Sequence, residues 1–133
     1  MRIELDFSSE KPIYEQLYES IIKAMATSEL KANESLPSVR ALAEEIGINL
    51  HTVNKAYNLL KDEGYITVDR RKGAIVNKLP INSSQIHQNT LMDALSVLTA
   101  KAYLMGMDEA EFSKLCHKYF LAYKEDLLWM TQS

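Results

Sequence analysis

Apolar side chains recur along this chain at two rhythms, one of about 3.6 residues and one of 2, and the changes of rhythm mark out its elements. Ile13, Leu17, Ile21 and Met25, with Tyr14, Tyr18 and Ile22 beside them, form a stripe that predicts a first helix over 11–28. Pro12 suits the first turn of that helix, where a missing N–H costs nothing. The stretch Leu30 to Leu36 has no helical period, and Asn33 can take a left-handed turn position there without severe strain. Ser38 is a good N-cap for a short helix through Val39, Leu42, Ala43 and Ile46, which Gly47 closes at the C′ position. Asn49 is a second N-cap, and Val53, Ala56, Tyr57 and Leu60 line the buried side of a third helix that ends at Gly64.

The rhythm then shortens. Tyr65 to Asp69 and Ala74 to Asn77 are β-branched, aromatic-containing runs on either side of Arg70-Arg71-Lys72-Gly73, which predicts a β-hairpin with a basic tip. Two short helices separated by Gly-Ile-Asn match a helix-turn-helix, and adding the first helix and the hairpin gives a winged helix-turn-helix over 1–78. Residues 79–87 are polar, contain Pro80 and show no period, so they read as a linker. Beyond it, Leu91, Leu95, Leu98, Ala102 and Met105 predict a fourth helix that breaks near Gly106. Asp108 with Glu111 resembles a capping box for a fifth helix, whose broad apolar side carries Phe112, Leu115, Cys116, Tyr119, Phe120, Tyr123, Leu127 and Met130. The expected fold class is mainly α with a small β-hairpin: the winged domain, then a two-helix segment over 88–133.

Composition narrows the classes. With 133 residues, 47% apolar and 25% charged, the chain can bury a core and is neither a disordered tail nor a disulfide-stapled miniature. No uncharged apolar run approaches the ~18 to 20 residues needed to cross a bilayer. The acidic start, Met1-Arg2-Ile3-Glu4-Leu5-Asp6-Phe7, lacks the apolar core of a signal peptide, so export is not expected, and a lone cysteine, Cys116, fits a reducing cytoplasm. Net charge is −3, but it is unevenly spread: 1–35 carries −3, 36–78 carries +2 and 79–133 carries −2. The only net-positive block is the one that holds the helix-turn-helix and the hairpin.

The residues in that block resemble a known family. Leu36-Pro37-Ser38-Val39-Arg40-Ala41-Leu42-Ala43, then Ile46-Gly47-Ile48-Asn49, Thr52-Val53, Ala56-Tyr57, Leu60 and Glu63-Gly64-Tyr65-Ile66 are similar to the DNA-binding domain of GntR-family bacterial repressors. Lys72-Gly73-Ala74-Ile75-Val76 resembles that family's wing, and Pro12-Ile13-Tyr14-Glu15-Gln16-Leu17 extends the likeness to about 11–76. The short helical tail is similar to the YtrA-like subfamily, which lacks large effector domains. The resemblance implies repression of transcription by a homodimer on a palindromic operator. It also implies that Arg40 approaches the DNA backbone or nearby bases. Three positions depart from the family pattern: Leu50 stands where arginine is common, Arg71 replaces the first wing glycine, and Ala32-Asn33 replaces a loop Pro-Gly. They leave the fold intact and put the family's operator sequence in doubt.

The chemistry of the exposed positions agrees with such a role. In a helix-turn-helix the N-terminal part of the second helix enters the major groove. With one side of the third helix (about 50–63) buried, the other must show His51, Thr52, Asn54, Lys55 and Asn58. Asn54 can pair bidentately with adenine, His51 and Thr52 can donate to base edges or phosphates, and Lys55 suits a phosphate. Ser38 and Asn49, both caps, stand at the helix starts that face the duplex. Arg70, Arg71 and Lys72 suit the minor groove or flanking phosphates, and Gly73 permits close backbone approach. The bland alternatives are a solvated helix face, an Arg40–Glu44 surface ion pair and a merely soluble hairpin tip.

Two other classes compete. An enzyme would need a constellation, and none is visible. His51, His87 and His117 lie on different predicted elements, and Cys116 and His117 are adjacent on one helix and point ~100° apart. No phosphate loop or zinc spacing occurs, so neither a catalytic residue, a metal nor a cofactor is assigned. A winged-helix protein-interaction module that never touches DNA is the stronger competitor, and the acidic total charge favours it slightly. The tail predicts a homodimer through Leu91, Leu95, Leu98, Phe112, Leu115, Tyr119, Phe120, Tyr123 and Leu127, because an isolated helix pair cannot bury so much apolar surface. Folding of both helices back onto the winged domain is the alternative. Two helices cannot by themselves enclose a typical pocket of roughly 300–1,000 Å³, so no dedicated effector domain is expected; a small molecule could still lodge between subunits, between tail and winged domain, or beside the Met-rich faces.

Overall fold

The computed structural model describes the backbone of residues 3–132 and the side chains of residues 3–124. The elements run α1 (Ile13–Ala26), α2 (Val39–Ile46), α3 (Leu50–Asp62), β1 (Ile66–Asp69), β2 (Gly73–Val76), α4 (Gln85–Leu104) and α5 (Glu109–Gln132). They divide into two compact units, residues 1–82 and 83–133.

In the first unit, α3 is the central element and packs against α1, α2 and β1. Its buried side, Val53, Ala56, Tyr57 and Leu60, meets Leu17 and Ile21 of α1, Leu42 and Ala43 of α2, and Ile66, Ala74 and Val76 of the hairpin in one cluster. α1 is shorter at both ends than the expected 11–28. Pro12 sits before the helix with φ −55° and ψ 146°, an extended conformation, and Thr27 and the left-handed Ser28 (φ 64°) end it. The turns expected from sequence take their expected forms: Asn33 has φ 69° and Gly47 has φ 78°.

The wing is broader than a hairpin. β1 and β2 pair antiparallel with Ile66 opposite Val76 and Asp69 opposite Gly73. The stretch before α2 pairs with the other edge of β2: Asn33 N donates to Val76 O (2.8 Å), Val76 N to Glu34 O (2.9 Å) and Leu36 N to Ala74 O (2.8 Å). Gly73 therefore begins β2 and is not part of the turn itself, and its φ of 77° is what calls for glycine there.

Tyr57 joins two parts of this unit. Its ring is buried, and its hydroxyl donates to Pro37 O (2.7 Å), which ties α3 to the entry of α2. Burial pushes the phenol up to about 12. Tyr18, whose hydroxyl donates to Glu63, is raised by burial and by that carboxylate, and Tyr65 is raised by burial and the Glu63 charge. A folded-state value above the unfolded one means that the stabilisation is complete below pH ~10 and is lost as pH rises through the folded value. Stability is thus expected to be level from pH 8 to 9.5 and to fall between about pH 10 and 12, on the order of 2 kcal/mol of it from Tyr57 alone. Tyr57→Phe should cost about 1 kcal/mol at neutral pH and flatten part of the alkaline loss. Urea titrations across this range check both; an unchanged alkaline slope in the variant would refute the assignment.

The second unit is a helix pair. α4 begins at Gln85, inside the stretch expected to be linker, because Ser84 caps it: its Oγ accepts from His87 N at 3.2 Å. Gly106, with φ 85°, turns the chain, and Asp108 Oδ1 accepts from Glu111 N (2.8 Å) to start α5. Among the described residues of this unit only Ala102 is buried.

Candidate nucleic-acid interface

Local chemistry sets the angle between α2 and α3. Ser38 Oγ accepts from Ala41 N (3.0 Å) and starts α2. Gly47 N and Ile48 N both donate to Ala43 O, at 2.9 and 3.0 Å, which closes it. Asn49 Oδ1 accepts from His51 N (2.7 Å) and opens α3 directly after the turn. The caps read from sequence are thus engaged in the helix starts, with the Ser38 hydroxyl proton and the Asn49 Nδ2 as their remaining outward donors.

Along α3, His51, Asn54, Lys55 and Asn58 are exposed, whereas Thr52 is half-buried. His51, Lys55 and Asn58 fall at i, i+4 and i+7, one stripe facing away from the core; Asn54 flanks it on one side and Thr52 on the other. Lys55 is engaged in a way that the sequence did not foretell: its Nζ lies 4.0 Å from the centroid of the Tyr14 ring in α1. Tyr14 was legible only as a member of the apolar stripe. Leu50, where the family commonly has arginine, is 41% exposed at the start of the helix.

Arg40 is exposed on the first turn of α2, and no ion pair joins it to Glu44 among the described residues. At the wing, Arg70, Arg71 and Lys72 are all exposed. Asp69 shapes their turn, its Oδ1 accepting from Arg71 N at 2.6 Å. An aspartate directly ahead of the turn was the available signal for this Asx-turn. Asn77 braces the base of the wing: its Nδ2 donates to Gly64 O (2.9 Å), and its Oδ1 accepts from Thr67 Oγ1 (2.6 Å). The first unit therefore gathers the capped start of α3, its polar stripe and a cationic wing on one framework. Among the described residues, no group of three or more His, Cys, Asp or Glu could hold a metal ion.

The family model described as "Bacterial regulatory proteins, gntR family" matches residues 13–76, which run from the start of α1 to the end of β2. Among curated relatives, the HTH-type transcriptional repressor YtrA of Bacillus subtilis (strain 168) is 38% identical over 76 residues, covering 57% of this chain and 58% of YtrA. Among solved structures, YtrA from Sulfolobus acidocaldarius, described as a GntR-family transcription factor, is 40% identical with a TM-score of 0.59, covering 74% of this chain and 97% of that one. This chain belongs to the GntR family. Its likeness to two YtrA proteins places it in the YtrA-like branch. The chain thus spans little more than half the length of the B. subtilis repressor YtrA that it matches. A transcriptional antiterminator from Listeria monocytogenes EGD-e is similar over both units, with a TM-score of 0.81 at 28% identity and 90% of each chain covered.

The expected interface residues of the second unit are in large part uncovered. Leu91, Leu95 and Leu98 on α4, and Leu115, Tyr119 and Phe120 on α5, are exposed. Phe112 and Tyr123 are half-buried, and the Tyr123 ring meets Phe120 edge-on with centroids 6.4 Å apart. The side chains of Leu127 and Met130 lie outside the described residues. Two clefts, of about 550 and 660 Å³, lie between α4 and α5, lined by Ala102, Leu104, Met107 and Phe112 in both. They reach ligand size without being closed, so the pair of helices supplies part of a pocket wall and not a whole one.

Proposed function

We propose that this chain is a sequence-specific transcriptional repressor that binds a palindromic DNA operator as a homodimer. The observation that carries this reading is the set of exposed polar and cationic groups on the first unit. α3 presents amide, imidazole and ammonium groups with no carboxylate before Asp62, and the three wing cations are exposed without an ion pair among the described residues. A module built only to bind proteins has no need of such a face. Asn54 and His51 read base edges, Lys55, Arg40 and the Ser38 and Asn49 donors meet phosphates or nearby bases, and Arg70, Arg71, Lys72 and Gly73 approach the minor groove or its flanks. The helix pair joins two copies, so that two recognition helices meet half-sites about one helical turn, or a multiple, apart. Any effector would sit where a second copy closes the α4/α5 clefts. This role needs no catalytic residue, metal or cofactor, and it belongs in the cytoplasm; among the described residues no helix is long and apolar enough to cross a membrane.

Anisotropy titration of the chain on a duplex from its own upstream region and on a random duplex tests the reading. Affinity for both should fall steeply with salt, because phosphate contacts release counterions. Asn54→Ala should lose roughly 1–3 kcal/mol of discrimination, while Arg71→Ala should weaken both duplexes alike and lower the salt slope by about 1. Equal or absent binding to the two duplexes at low salt would favour the protein-interaction module instead.

A further inference from the structure

We infer that Tyr14 is a positioning residue for Lys55: its ring holds the recognition-helix ammonium in place as a preset contact for a DNA backbone phosphate. The first helix thereby becomes part of the DNA interface. The inference rests on the DNA-binding reading above and adds a residue to it.

Two observations converge. Lys55 Nζ lies 4.0 Å from the Tyr14 ring centroid, within the range in which a ring quadrupole attracts a cation. Lys55 also stays exposed, one helical turn from His51 on the outward stripe of α3, so the ring covers one side of the ammonium and leaves the rest open.

The choice of an aromatic partner over an acidic one has a functional meaning. A carboxylate would orient the ammonium and cancel its charge together. A ring orients it and leaves the charge intact for an anion. A free lysine side chain samples many rotamers, and a phosphate contact must suppress them on binding; a lysine already settled on a ring has lost much of that freedom in the unbound protein. Tyr14 is itself only half-buried at the second position of α1, so little else in the core calls for an aromatic ring there.

The test is a double-mutant cycle on the full chain, read by anisotropy with the upstream duplex and a random duplex at stepped salt. Tyr14→Leu should weaken both duplexes about two- to fivefold, the factor expected of an exposed cation–π pair, and leave the salt slope unchanged. Lys55→Met should weaken both and reduce the slope by about 0.9. In the Lys55→Met background, Tyr14→Leu should have no further effect, and Tyr14→Phe alone should bind like the parent. A fluorinated phenylalanine at position 14 keeps the shape and depletes the ring face, so it should reproduce the leucine loss even if Tyr14→Leu unfolds. Additive losses, or tighter binding after Tyr14→Leu, would show that the ring does not present Lys55 and would overturn the inference while leaving DNA binding intact. No binding by the unmodified chain would instead remove the reading on which it stands.

Discussion

Aspartate at both Leu95 and Leu98 is expected to halve the particle mass and to lower operator affinity by about 10²–10⁴, the range over which linking two weak sites raises avidity. The two leucines are 52% and 55% exposed on α4, and the helix pair around them is mostly uncovered: Leu91 is 72%, Leu104 82% and Phe120 70% exposed. A contiguous apolar surface of this kind in water is a cost that self-association removes, and a twofold contact uses the same patch on both copies. Two carboxylates in the middle of that patch would be desolvated without partners, which costs more than association gains. The winged unit should be untouched, because its apolar cluster runs from Leu17 to Val76 and includes neither residue. Light scattering at micromolar concentration reads the mass, expected at about twice 15.2 kDa for the parent chain. A parent of single mass, or a doubly substituted chain that binds the operator undiminished, would dispose of the homodimer.

The second large effect is on stability. Leu60 has no exposed surface, and it sits on α3 where α1, α2 and β1 converge. Leu60→Ala removes three buried heavy atoms from a site held on several sides, which limits collapse of the cavity. The expected loss is about 2–5 kcal/mol, a large part of the 5–15 kcal/mol typical of a whole domain. The unfolding midpoint of the winged unit should drop by roughly 10–40 °C. Leu98→Ala, which alters an exposed side chain of the other unit, should leave that midpoint where it is. Calorimetry separates the two outcomes, and equal midpoints for Leu60→Ala and the parent would mean that α3 is not the centre of the core.

Much of this architecture is legible in the chain because its signals are local. Ser38, Gly47, Asn49 and Asp108 each act within a few residues of themselves, and each takes the part that its chemistry suggests. Ser84 was missed because the residues after it, Gln85 to Thr90, present no apolar rhythm to show that a helix has begun. The pairing of Asn33, Glu34 and Leu36 with β2 was missed for a different reason: it is made by backbone groups some 40 residues apart and leaves no side-chain period. In the candidate interface, the exposed stripe of α3 followed from the periodicity of its buried side. The contact of Lys55 with Tyr14 did not, because it depends on how two helices cross. The YtrA resemblance adds what local chemistry cannot supply, the basis for proposing a regulatory role.

The strip of chain from Asn33 to Leu36 does more than widen the wing. It leads directly into Pro37 and α2, so the same few peptide groups that hold β2 just below the cationic tip also run straight into the start of the helix-turn-helix. A caliper works on this plan, with two jaws on one rigid bar. Jaws that cannot drift apart measure what lies between them, and a duplex whose groove departs from that span must bend or twist to be held, at an energy that depends on its own base sequence. Base pairs that no side chain touches would then still be selected, by their stiffness.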